Sequence, residues 1–177
     1  MFTKYFFPDK RGFTLVELLV VMFIITLISG SVLAGYWSGQ KQNSVSRASQ
    51  LLAADLRRAQ NMALAGVSMP SGCLSADCAK GFGLYTKSAN QYIIFYNSDG
   101  TKTRYVKGGS KESTDMETII LSSDTSLSPT NKEVYFTPPE PLTYINGANS
   151  GSQVFTLSSG NFSKTVTVYA SGRIEIQ

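Results

Sequence analysis

From Phe13 to Gly35 the chain reads FTLVELLVVMFIITLISGSVLAG, an apolar run whose one charge is Glu17. As a helix it would be about 34 Å long, enough to cross a hydrocarbon core of roughly 30 Å. A helix that is apolar all round has to be surrounded by lipid or by other helices. Lys10 and Arg11 stand directly before the run, and no Lys or Arg follows until Lys41. The excess of positive charge on that side predicts a single-pass protein of the inner (cytoplasmic) membrane. Its short amino end would be cytoplasmic and everything after Gly35 outside. A cleavable secretory signal has a shorter apolar core and a small-residue cleavage site behind it. Ala34-Gly35 mimics such a site, but this run is longer and carries a charge.

Glu17 is the anomaly. An acidic side chain in a membrane helix costs roughly 2.5–3.5 kcal/mol at a central position and less near the interface. A carboxyl there either snorkels to the headgroups, takes up a proton, or meets a cation. Catalytic uses of the chain are narrowed by composition. With no histidine, it has no imidazole acid–base group, no His-based triad and no His metal site. Two cysteines cannot build a four-cysteine zinc centre or a disulfide-framed miniprotein. Of the net charge of +4, residues 36–177 carry +3, which is too small to argue for nucleic acid by itself.

Lys10-Arg11-Gly12-Phe13-Thr14-Leu15-Val16-Glu17 followed by an unbroken apolar helix resembles the class III signal of type IV pilins and type II secretion pseudopilins. The basic pair, the Gly, the Phe and the Glu five residues after the Gly are all in register. The resemblance implies that a membrane-embedded prepilin peptidase cuts between Gly12 and Phe13, makes residues 1–12 a leader, and methylates the new amino terminus. Cleavage would create an α-ammonium on Phe13, mostly charged at neutral pH given a reference pKa of about 7.7–8.0. Its counter-ion would be the Glu17 carboxylate of a subunit displaced by about one helical turn, so that two charges costly in lipid become a pair. Glu17 then sets the register of a filament.

Beyond the apolar run the sequence predicts an amphipathic spine over 36–66. Val45, Ala48, Leu52, Leu56, Ala59 and Ala63 recur at three- and four-residue steps, while Arg47, Gln50, Arg57 and Gln60 fall largely off that stripe. Gly66 is the expected stop, with Pro70 beyond it. Residues 67–177 alternate on a two-residue period. Strands are predicted at Phe82–Thr86, Gln91–Tyr96, Lys102–Val106, Thr118–Leu121, Glu133–Phe136, Gln153–Leu157, Thr165–Tyr169 and Arg173–Ile176. Asn97-Ser98-Asp99-Gly100 is read as the hairpin joining the second and third. The expected fold is therefore α+β. A long amino-terminal helix, 13–35 in membrane and 36–66 amphipathic, packs on a mostly antiparallel sheet.

Within the pilin group the chain is most similar to the H-type minor pseudopilins and related minor pilins. Val134-Tyr135-Phe136 with Pro138 close behind, three closing strands, and Gly172-Arg173-Ile174 carry that likeness. It implies a non-enzymatic structural subunit, minor rather than major, of a pilus or secretion pseudopilus. Its partners would be other pilin subunits, the prepilin peptidase, the inner-membrane assembly platform and lipid, with no cofactor. The alternative is a DNA-binding minor pilin using Arg104, Lys107, Lys111 and Arg173. Some members of that group end in Gly-Arg-x-Arg, whereas this chain has Gly172-Arg173-Ile174-Glu175.

Cys73 and Cys78 lie close in sequence, and outside the membrane a disulfide between them would pin the loop after the helix. A reduced pair is the alternative in a reducing envelope. Asp99, Asp115, Glu117 and Asp124 lack the dense alternation of a calcium loop and read as solvated acids. Ser38-Gly39-Gln40-Lys41 matches S-x-x-K without companion motifs. Tyr92, Phe95, Tyr96 and Tyr105 read as core and sheet surface rather than a base-stacking platform.

Overall fold

A computed structural model of the chain describes residues 12–66, 79–99, 101, 103–107, 113–138 and 142–177, the side chains of 33–35 excepted. The chain divides into two compact units, Met1–Gly39 and Gln40–Gln177. The order of elements is α1 (Leu15–Leu64), β1 (Gly81–Ser88), β2 (Gln91–Asn97), β3 (Thr114–Ile120), β4 (Ser126–Ser128), β5 (Glu133–Thr137), β6 (Leu142–Ile145), β7 (Ser152–Ser159), β8 (Phe162–Tyr169) and β9 (Ile174–Ile176). The predicted α+β class holds: one long helix followed by antiparallel strands.

In the first unit the helix is apolar on every side. Leu15, Leu19, Phe23 and Leu27 are exposed, and so are Leu18, Met22, Ile25 and Val32. The segment has the length and composition of a membrane span. Its polar interruption at Thr26 is satisfied within the helix, where the hydroxyl donates to the carbonyls of Met22 at 3.0 Å and Phe23 at 2.8 Å. That satisfies a group which would otherwise be unpaired in hydrocarbon.

In the second unit the helix from Gln40 onward is one-sided. The predicted stripe of Val45, Ala48, Leu52, Leu56, Ala59 and Ala63 is buried, and Ala53 joins it. Arg47, Gln50 and Arg57 are exposed. Gln60 is half-buried, because its amide nitrogen donates to the Gly172 carbonyl at 3.1 Å. A positive φ at Gly66 follows the helix end, as the left-handed C-terminal cap requires.

The strands form two sheets rather than the single one expected. The first has the order β3-β2-β1-β5-β6 and the second β4-β7-β8-β9, with every pairing antiparallel. Both pack on the helix stripe in one core. Phe82, Leu84, Tyr92, Val134 and Phe136 come from the first sheet, and Leu127, Phe155, Leu157, Val166 and Val168 from the second.

Of the predicted strand Lys102–Val106, the described residues 103–106 form no strand, while Lys102 and Gly100, the last residue of the predicted hairpin turn, lie outside the described residues. Residues 103–107 are irregular, and the next strand is β3, which begins earlier than the predicted Thr118. The physical reason is that side chains take over the ladder's role there. Tyr105 N donates to Glu133 Oε2 at 2.7 Å, Val106 N to Ser113 Oγ at 2.8 Å, and Asn97 Nδ2 to the Arg104 carbonyl at 2.9 Å. The loop lies over the outer face of the first sheet and caps a second small cluster of Ile93, Phe95 and Tyr135 with Tyr85, Tyr105 and Tyr144. Gly83 makes the close packing there workable. A Cβ at that position would meet the Phe95 ring at 2.6 Å and the Val134 carbonyl at 2.7 Å. Strands β4 and β6 were not predicted; each is short, and β6 directly follows the proline-rich stretch.

Candidate functional site

The residues of the prepilin-like signal meet at the start of α1. Gly12, Phe13 and Thr14 precede the helix, and a side chain added at Gly12 would meet nothing within 4 Å. Phe13 is 80% exposed. Glu17 lies in the first helical turn and is exposed. Its backbone N–H donates to Thr14 Oγ1 at 3.2 Å. Thr14 is thus the N-cap and Glu17 the third helical residue, the T-x-x-E spacing of a capping box. Sequence reasoning passed over Thr14, although that spacing was legible. A carboxylate in the first turn also suits the positive end of the helix dipole. The arrangement leaves the Gly12–Phe13 bond in open, non-helical backbone with the helix fixed one residue later. Lys10 and Arg11 lie outside the described residues, as do Cys73, Cys78 and Lys111.

The candidate DNA contacts do not converge. Arg104 and Lys107 sit on the loop over the first sheet, whereas Arg173 precedes the last strand of the second. Each faces a carboxylate. Arg104 Nε is 3.5 Å from Glu133 Oε1, Lys107 Nζ 3.3 Å from Asp115 Oδ1, and Arg173 Nε 3.4 Å from Glu175 Oε1. Arg173 also lies over the Tyr169 ring, 4.3 Å from its centroid. The sequence expectation that Arg173 and Glu175 share a face is met in this pairing. Of the acids weighed for calcium, Asp115 faces Lys107 and Glu117 accepts from Arg58 at 2.7 Å.

Among the described residues of the second unit, two carboxyls are buried, Asp55 and Glu133. Asp55 occupies a stripe position between Leu52 and Ala59, and its Oδ2 accepts from the Tyr92 hydroxyl at 2.6 Å. Burial pushes the Asp55 carboxyl above its ordinary value of 3.8, against the lowering effect of that hydrogen bond. Tyr92 is pushed up in turn by burial and by its carboxylate partner. Glu133 is raised above 4.5 by burial, only partly offset by the Tyr105 N–H and by Arg104. An acid at an in-stripe position was the readable signal for Asp55; nothing local in the sequence marks Glu133 as buried.

Residues 8–33 match the family model of the prokaryotic N-terminal methylation motif. The match is that of a class III prepilin signal, consistent with the type IV pilin and pseudopilin family. No curated protein and no solved structure matches the chain.

Proposed function

We propose, from the prepilin signal at residues 8–33, that this chain is a structural subunit, minor rather than major, of a type IV pilus or a type II secretion pseudopilus. The observation that carries the reading is the signal's position. It runs in register into a helix with apolar side chains exposed on all sides, a surface that only lipid or neighbouring helices can cover. Before assembly the segment would anchor the protein in the inner membrane with the head outside. In the filament the same surface would pack against its copies and relatives.

Processing would cut between Gly12 and Phe13 and methylate Phe13. Thr14 caps the helix immediately behind the new terminus and so presents that terminus at a defined place. Glu17 of one subunit would pair with the Phe13 ammonium of another. The chemistry is proteolysis and methyl transfer performed on this chain by the prepilin peptidase; the subunit itself acts by assembly. Intact mass of the protein from envelope fractions is the test. The expected chain lacks residues 1–12 and carries one added methyl, and a mature chain beginning after Gly35 would overturn the reading.

DNA capture has less behind it. Arg104, Lys107 and Arg173 are each already opposed by a carboxylate, and Arg173 lies beside the second sheet while the other two sit on the loop over the first. Fluorescence anisotropy with a labelled duplex at two salt concentrations should give a dissociation constant no tighter than the roughly 10⁻⁴–10⁻⁶ M of non-specific association. Submicromolar binding at physiological salt, abolished by Arg173→Ala, would put the DNA reading first.

A further inference from the structure

Beside the loop over the first sheet lies a half-open cavity of about 410 Å³. Its size falls at the small end of the range of ligand sites, roughly 300–1,000 Å³, so its occupant is a single small unit. The stacked rings of Tyr85 and Tyr105 form one wall, 4.2 Å between centroids and 11° apart. Tyr85 is held by its hydroxyl, which donates to Asn131 Oδ1 at 2.8 Å. Glu133 also lines the cavity, with its side chain only 6% exposed.

Glu133 is half satisfied. Its Oε2 accepts from Tyr105 N, but its Oε1 is buried and receives no hydrogen bond among the described residues; Arg104 Nε stands off at 3.5 Å. A buried acceptor without a donor is costly, and it marks a place where a hydroxyl would be held. The charge around it points the other way. Arg104, Lys107 and Lys132 line the same cavity against the one carboxylate. Lys107 is engaged by Asp115 and by the Ser113 carbonyl at 3.1 Å. Lys132 forms no ion pair among the described residues, while its backbone is fixed to Thr86 by N–H to Oγ1 at 2.9 Å and by carbonyl to N–H at 2.8 Å.

A ligand that suits these groups offers a hydroxyl donor to Glu133, an anion to Lys132 and an apolar C–H surface to the tyrosines. A free inorganic anion such as phosphate can offer a P–OH donor but has no C–H surface for the tyrosines. A neutral sugar leaves Lys132 unanswered, and a cation is repelled by the three positive groups. We propose that this cavity binds an acidic sugar unit of the uronic-acid class, with a ring hydroxyl on Glu133 Oε1 and the carboxylate on Lys132. The site lies wholly in the second unit, so it stands or falls independently of filament assembly.

Calorimetry on the full-length protein in detergent micelles, with D-glucuronate, D-glucose, inorganic phosphate and a short oligothymidylate as probes, tests this. Glucuronate should bind saturably and glucose about tenfold more weakly, the scale of one charge-assisted hydrogen bond. Lys132→Ala keeps the backbone bonds to Thr86 and should bring glucuronate down to the level of glucose. Glu133→Gln, accepted only if its circular dichroism matches wild type, should weaken both sugars alike. Equal binding of glucose and glucuronate, an unchanged affinity in Lys132→Ala, or no binding of glucuronate would overturn the proposal. So would displacement of glucuronate by equimolar phosphate, which would leave a charge site only, or by oligothymidylate at lower concentration, which would make the ligand a nucleic acid.

Discussion

The two halves of α1 are built from similar residues and live in different surroundings. Around Leu19, Phe23 and Leu27 large side chains cover the whole circumference and all are exposed. Around Leu52, Leu56 and Ala59 the apolar residues keep to one stripe, and that stripe is buried under two sheets. The same helical period therefore carries two instructions. An unbroken apolar surface calls for a partner on every side, and a stripe calls for a cover on one. The second cover is supplied by residues 81–177.

The largest effect in testing this contrast should come from moving the start of the chain. A fragment beginning near Gln42 keeps the stripe and is expected to be a soluble, folded α+β domain. One beginning after Gly66 loses the stripe and should aggregate, because Phe82, Leu84, Phe155 and Val166 would have no cover. Analytical ultracentrifugation of the two fragments checks it; a monomeric, cooperatively unfolding short fragment would show that the sheets do not need the helix.

Matched truncations within the helix come next. Leu52→Ala should cost about 2–5 kcal/mol, the usual range for a buried leucine, measured by denaturant unfolding of the longer fragment. Leu19→Ala in the full-length protein should leave the unfolding of the second unit unchanged and act only on membrane or filament packing. Equal losses from both would erase the distinction.

Glu17→Ala sharpens the first half of the comparison. Membrane insertion should stay intact or improve, since the insertion cost of a charge is removed, while incorporation into filaments should fall. Fractionation of membranes and sheared filaments reads both, and wild-type incorporation of the alanine variant would end the pairing hypothesis.

The smallest effect concerns the one acid placed in the buried stripe. Asp55 has a folded pKa above its ordinary 3.8. Between those two values the native state holds the proton more tightly than the unfolded chain does. The contribution of Asp55 is thus most favourable below pH 3.8 and is lost as the pH rises through the folded value. Asp55→Asn, which can still accept from Tyr92, should flatten that part of the stability–pH curve. Chemical denaturation of the longer fragment at pH 4 and pH 7 measures it; an unchanged slope would place the titration elsewhere, with Glu133 the next group to change.

Some features of this protein were settled by the sequence alone, because local rules suffice for them. A run of apolar residues long enough to span a bilayer, a helix stripe with a period of 3.6, and a signal defined by the spacing of a few residues all depend on residues near one another in the chain. The buried stripe from Val45 to Ala63, the existence of β1, β2, β5, β7 and β8, and the meeting of Arg173 with Glu175 were legible for that reason. Only the tertiary structure decided that the strands divide into two sheets, and that residues 103–107 leave the ladder to cover an outer face. Both depend on competition between partners distant in sequence. Tyr105 could have continued a hairpin with β2, yet its N–H is taken by Glu133, twenty-eight residues away. Burial of Glu133 follows from that choice, and so does the cavity beside it. A carboxylate's sequence neighbours say little about whether a loop will close over it.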